Sequence, residues 1–177
     1  MALVLLLGGA RSGKSAMALR LASGSNAPVS FIATASAGDE EMAERIRRHQ
    51  EQRARQWKTV EAPIEVAEAI RATPAGDFIA LDCLTLWVSN LMGQGATAEA
   101  IETAASEIVT ELRGRDCVVV TNEVGLGIVP VNELARSFRD VLGGVNALFA
   151  AAADRAVLMV AGRALDLASI ESATGRQ

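Results

Sequence analysis

The chain has 177 residues, half of them hydrophobic, and a net charge of −4. This length and apolar share suit one globular domain with a sizeable core and exclude a disordered chain. The acidic balance, the lack of Tyr and an aromatic share of 3% argue against a nucleic-acid binder, which needs a basic surface or stacking platforms.

The apolar run Leu3–Leu7 predicts a first strand. It has no basic leader and runs straight into glycines, so it does not read as a signal peptide. No stretch is long and apolar enough for a membrane span, and a cytoplasmic location follows. The run leads into Gly8-Gly9-Ala10-Arg11-Ser12-Gly13-Lys14-Ser15, with the spacing G-x-x-x-x-G-K-S of a phosphate-binding loop. Gly8 and Gly13 allow turns that a Cβ would block, so that successive N–H groups point inward. A helix beginning near Gly13 adds its positive N-terminal dipole. Lys14 has the reach for β- and γ-phosphates, and Ser15 offers a hydroxyl to Mg²⁺.

After the first helix, Ser23–Asn26 and Pro28 mark a loop, and Val29–Thr34 predicts a second strand. Asp39 is expected to cap a helix from Glu40 to about Arg55, acidic at its start and basic at its end. Met42, Ile46 and His49 share one face of that helix. A short strand is predicted at Trp57–Glu61, a helix at Ile64–Arg71 opened by Pro63, and a strand at Phe78–Asp82. Helices follow at Leu84–Met92 and from Thr97 to Leu112. Cys117–Thr121 is a buried strand, Asn122–Pro130 a loop and Asn132–Ala153 a long helix with a weak point at Gly143-Gly144. Ala156–Val160 is the last strand, and the pattern fades after Gly162. The tail from about residue 168 is expected to be loosely ordered. Strands alternating with helices predict an α/β fold: one domain over residues 1–177, with a mostly parallel sheet covered on both faces.

In such sheets ligands bind beyond the carboxyl ends of the strands. Asp82 stands there, where a carboxylate holds Mg²⁺ in phosphate-loop proteins, and it doubles as a cap for the helix that follows. His49 is the only histidine. Helical spacing places Arg45 and Arg53 four residues to either side, which would keep the imidazole neutral and nucleophilic or hold a phosphate. Glu61 and Glu123 are further strand-end acids, with Glu123 a candidate base or substrate contact. Arg136 and Arg139 read as a solvated helix face. Cys83 and Cys117 lack metal-site spacing and read as small buried thiols.

Several segments together resemble the bifunctional adenosylcobinamide kinase / adenosylcobinamide-phosphate guanylyltransferase family of cobalamin biosynthesis. They are the glycine loop, Phe31–Ala35, the Asp39–Arg53 helix with its histidine, Leu81–Trp87, Thr121–Pro130 and Phe138–Asp140. The likeness runs from about Leu3 to Leu167. It implies a fold similar to RecA-type phosphate-loop proteins, assembled as a homotrimer. It implies phosphorylation of adenosylcobinamide by ATP or GTP. Transfer of GMP from GTP to adenosylcobinamide phosphate would then follow through a GMP–histidine intermediate, which falls on His49. Nucleotide contacts are implied at Gly8, Gly9, Ala10, Arg11, Ser12, Gly13, Lys14 and Ser15, at Ala33, Thr34 and Ala35, at Gln50, Glu51, Gln52 and Arg53, and at Glu61 and Asp82. A single-activity kinase would leave the histidine helix without work. A GTP switch would read guanine through Asn-Lys-x-Asp, which the chain lacks.

Overall fold

The computed structural model describes residues 2–36, 40–51 and 53–169, with the backbone alone at 41, 42, 45 and 49. Its strands are β1 (Leu3–Gly8), β2 (Val29–Ala33), β3 (Lys58–Glu61), β4 (Phe78–Asp82), β5 (Cys117–Val120), β6 (Arg155–Val160) and β7 (Arg163–Leu167). The helices are α1 (Lys14–Ser23), α2 (Glu40–Glu51), α3 (Val66–Arg71), α4 (Leu84–Gly93), α5 (Ala98–Leu112) and α6 (Glu133–Ala152). The strands form one sheet in the order β3-β2-β4-β5-β1-β6-β7. Every neighbouring pair is parallel except β6 and β7. β5 therefore lies between β1, which feeds the glycine loop, and β4, which ends in Asp82.

Side chains alternate across a strand, so each apolar run feeds two layers. Leu5, Leu7, Ile32, Ile79, Leu81 and Val119 pack under α3, α4, α5 and α6. Leu6, Phe31, Ala80, Val118, Val157 and Met159 turn to the other face, against Ala18 and Ala22 of α1. Burial on both faces explains why β1 reads as a continuous apolar run instead of an alternating one. The expected cap at Thr97 forms, its Oγ1 accepting from the Ala100 N–H at 3.2 Å; Asn132, expected as the first helical residue, instead caps α6, its Oδ1 accepting from the Ala135 N–H at 3.0 Å. α6 runs unbroken through Gly143-Gly144. Among the described residues no helix is long and apolar enough to cross a membrane.

Several expected boundaries shift, and one strand was not expected. α2 ends at Glu51, short of Arg55, and two side chains beyond it lie on the sheet. The Arg53 guanidinium lies 3.8 Å from the Phe31 ring centroid, and Trp57 stacks on the same ring at 6.5 Å. Trp57 accordingly sits in a turn, its N–H on the Ala54 carbonyl at 3.0 Å, and β3 starts one residue later. α3 begins at Val66 instead of Ile64, and the carbonyls of Pro63 and Ile64 serve Asn90 and the Trp87 indole. The chain also does not lose its pattern after Gly162. A two-residue turn, Ala161 (φ 50°) and Gly162 (φ 76°), returns it as β7. β7 is exposed along its whole length, so it carries no alternation of burial to betray it. The expected cap at Asp39 and the tail from residue 170 lie outside the described residues.

Candidate active site

Six parallel strands end at one edge of the sheet. Reading across it in sheet order, the chain presents Glu61, Ala33–Ala35, Asp82, Asn122-Glu123, Gly8 and the Ala161-Gly162 turn. The glycine loop lies at the carboxyl end of β1. Gly8 has φ +150°, and a Cβ there would stand 2.3 Å from the Met159 carbonyl oxygen on β6 and 2.9 Å from Ser12 Oγ. Gly13, at φ 101°, starts α1. The Lys14 ammonium is buried beneath this arch and donates to the carbonyls of Gly8 and Gly9, both at 2.7 Å, and to Ser12 Oγ at 3.3 Å. Ser15 follows, half-buried in the first turn of α1, while Gly9, Ala10 and Arg11 are exposed along the rim. The Glu123 N–H bonds the Gly8 carbonyl at 3.1 Å, tying the loop after β5 to the same arch. The Glu123 carboxylate accepts from the Gly125 N–H.

The end of β4 is held by a residue whose local role the sequence did not reveal. Thr34 is fully buried; its Oγ1 donates to the Cys83 carbonyl at 2.7 Å and accepts from the Cys83 N–H at 2.8 Å. The Thr34 N–H bonds the Asp82 carbonyl at 3.1 Å, and Asn90 Nδ2 holds the Thr34 carbonyl at 2.8 Å. Thr34 thus locks the peptides on both sides of Cys83, directly after Asp82, and its hydroxyl is committed to that lock. A second buried network does the same for β5. Thr121 Oγ1 donates to Asn146 Oδ1 at 2.7 Å, Asn146 Nδ2 donates to the Asn122 carbonyl at 2.9 Å, and the Asn122 N–H bonds Thr85 Oγ1 at 2.7 Å. A lone Asn inside an apolar helix face was the available signal for Asn146. Arg136 is also more than a solvated side chain, since it holds the Pro130 carbonyl at 3.0 Å and so anchors the end of that loop.

Arg53 joins the site from the far side. Burial draws its guanidinium below the ordinary arginine value, and the negative charges of Asp82 and Glu61 push back. It remains a cation facing both acids, and its Nε is buried with no hydrogen-bond partner among the described residues. Because α2 has ended, Arg53 is not the i+4 helical neighbour of His49 that the spacing suggested. A cavity of about 370 Å³ opens beside it, lined by Gln50, Glu51, Arg53, Trp57 and Thr59. The backbone of His49 lies near the end of α2; the His49 and Arg45 side chains, and Gln52 entirely, lie outside the described residues.

A buried lysine under a glycine arch, with a strand-end carboxylate one strand removed, defines a RecA-like phosphate-loop nucleotide-binding protein. Solved structures agree on the fold. The flagellar accessory protein FlaH from Methanocaldococcus jannaschii superposes with a TM-score of 0.52, covering 94% of this chain and 76% of that one at 13% identity. A prototypical ATPase from the type III secretion system of pathogenic bacteria gives 0.53, covering 98% and 54% at 11% identity.

Sequence comparison narrows the class. The family model for cobinamide kinase / cobinamide phosphate guanyltransferase matches residues 4–167. The bifunctional adenosylcobalamin biosynthesis protein CobP of Pseudomonas aeruginosa is 43% identical over 166 residues, 92% of this chain and 95% of that protein. The corresponding CobU proteins of Salmonella typhimurium and Escherichia coli are 42% and 38% identical over 175 residues, each covering 90% of this chain and 96% of the relative. The chain belongs to the cobinamide kinase / cobinamide phosphate guanyltransferase family, and it is an enzyme of cobalamin biosynthesis.

Proposed function

We propose that the chain, as one domain, carries both family reactions at a single nucleotide site: phosphorylation of adenosylcobinamide, then transfer of GMP to the resulting phosphate. The observation that carries this reading is the meeting at one sheet edge of the glycine arch with Lys14, the Thr34-locked Asp82, and Arg53 with its unpartnered Nε. Lys14 is placed to meet the β- and γ-phosphates, and the arch N–H groups to bind their oxygens without reorganising. In the first step the substrate hydroxyl attacks the γ-phosphorus of ATP or GTP and the nucleoside diphosphate leaves. In the second, His49 attacks the α-phosphorus of GTP, pyrophosphate leaves, and a phosphate oxygen of the corrinoid then displaces the imidazole. Arg53 Nε is the donor for an oxygen of the transferring phosphate. Ala33–Ala35 contribute through backbone and small side chains, since the Thr34 hydroxyl is engaged. Gln50, Glu51 and Gln52 lie toward the nucleotide beside Arg53, and Glu61 toward its sugar or base. Glu123 stands as the candidate base or substrate contact of the kinase step.

Among the described residues no three acidic, His or Cys side chains converge into a cage for a cation. One hydroxyl, Ser15, and one carboxylate, Asp82, fit Mg²⁺, which is held largely by substrate phosphates and water. Mg²⁺ there would neutralise charge that builds on the phosphate oxygens. The chain also assembles with copies of itself, as a trimer, in the cytoplasm. Supporting self-assembly, Leu126, Ile128 and Val131 are 83%, 97% and 97% exposed on one short loop. Light scattering of the purified protein tests the trimer.

The test of the shared site uses GTP labelled at the α-phosphate. Without acceptor, the label is trapped on the protein in a bond labile to acid and stable to base. His49→Ala loses that label and the guanylylated product yet still makes adenosylcobinamide phosphate. Label that survives acid, or persists in His49→Ala, sinks the histidine route.

A further inference from the structure

The turn between β6 and β7 touches the glycine loop. The Gly162 N–H donates to the Ser12 carbonyl at 2.9 Å. A Cβ on Gly13 would stand 3.3 Å from Gly162 Cα, and the Met159 carbonyl closes on Gly8 from the same strand. The contact is independent of hairpin formation. In a two-residue hairpin turn the closing bond is made by the residue after the turn, here Arg163, so the Gly162 N–H has no partner within the hairpin.

We propose that Gly162 is a positioning residue for the nucleotide site: its N–H fixes the Ser12–Gly13 peptide of the glycine loop. The C=O and N–H of a planar trans peptide point in opposite directions. Holding the Ser12 oxygen outward on the hairpin therefore aims the Gly13 N–H inward, where the loop collects phosphate oxygens. Lys14 follows immediately and starts α1, so the same bond sets the first turn of the helix whose dipole faces the anion. Gly162 suits this task because its φ of 76° is open to glycine and tolerable for asparagine, but not for a β-branched residue. The inference rests on the glycine loop being the nucleotide site, and the test separates the two.

The direct measurement is amide exchange of Gly162 in the wild-type chain, with and without GTP and Mg²⁺. The bond predicts a protected amide that slows further when nucleotide holds the loop. Free exchange in both states overturns the proposal whatever any variant does. Two substitutions read its effect. Gly162→Asn keeps the turn and the N–H, and its KM for GTP stays near wild type. Gly162→Val cannot hold the turn, and its KM rises about tenfold, the worth of a good hydrogen bond, with kcat little changed because the lost contact serves ground and transition states alike. An unchanged KM in Gly162→Val overturns the proposal. If that variant does not fold, the exchange result and Gly162→Asn decide. Lys14→Ala is the control for the site itself: if it binds GTP normally, the nucleotide lies elsewhere, and that failure is distinct from one confined to Gly162.

Discussion

Replacing Gly8 by alanine tests the arch at its tightest point. The new Cβ would lie 2.3 Å from the Met159 carbonyl oxygen, more than 1 Å inside ordinary contact, and the residue would have to keep φ +150°. The carbonyl belongs to backbone paired with β1 in register, Gly8 opposite Met159, so it has no rotamer by which to move aside. Backbone strain of about 1–3 kcal/mol adds to about 1–3 kcal/mol for forced overpacking. A loss of at least about 2 kcal/mol lowers the melting temperature by about 4–8 °C in a chain this size. The Gly8 carbonyl also receives the Lys14 ammonium and the Glu123 N–H, so its displacement reaches both loops. If about 1.4 kcal/mol of the distortion falls on the bound state, nucleotide affinity drops about tenfold. Gly9→Ala is the matched control, since a Cβ there meets nothing within 4 Å. Thermal melting and GTP titration of the two variants side by side give the answer. Equal melting temperatures for Gly8→Ala and Gly9→Ala would refute the steric reasoning.

Lys14→Ala should lower both the kinase and the guanylyltransferase rates, each by about 10²-fold or more, the usual loss for a preorganised charge at a transferring phosphate; near-normal turnover in either reaction would break the single-site reading. Amide exchange along α2 should be fast without GTP and slower with it, because the helix is crowded with charge and has few apolar anchors; slow exchange unaffected by GTP would count against that motion. Burial pushes both thiols, Cys83 and Cys117, from 9.0 up to about 12. From about pH 9 upward the unfolded chain releases protons that the folded one keeps, so stability is full below that pH and declines through the window above it. Denaturant titrations from pH 8 to 11 should show this decline, flattened in a Cys83→Ala, Cys117→Ala double variant.

Much of the frame was legible in the sequence because burial on both sheet faces leaves unbroken apolar runs, and because the glycine spacing fixes what precedes and follows it. The cap residue Thr97 announced its helix correctly for a local reason. What escaped was set by contacts between distant segments. After α2 ends at Glu51, Arg53 and Trp57 lie on the ring of Phe31, more than twenty residues earlier, a contact that no local pattern announces. Thr34 was legible as a strand-end residue, but its two bonds to Cys83 depend on β2 and β4 being neighbours. β7 was missed because an exposed edge strand has no buried face to imprint a pattern. Its cross-strand pair, Arg155 with Asp166, is visible only once the turn is known.

The position of β1 in the sheet has a consequence for how the chain is made. Both of its partners come late: β5 begins at Cys117 and β6 at Arg155. At ribosomal rates of about 5–20 residues per second, roughly 8–30 s pass between synthesis of Leu3 and of its second neighbour. Until β5 is made, after roughly 6–23 s at that rate, five consecutive apolar residues, Leu3–Leu7, have no strand to join, while β2, β3 and β4 can already pair with one another. The nascent protein is thus a half-sheet carrying a sticky unpaired segment, and the nucleotide loop is translated long before the strands that flank it and is among the last segments to take its shape.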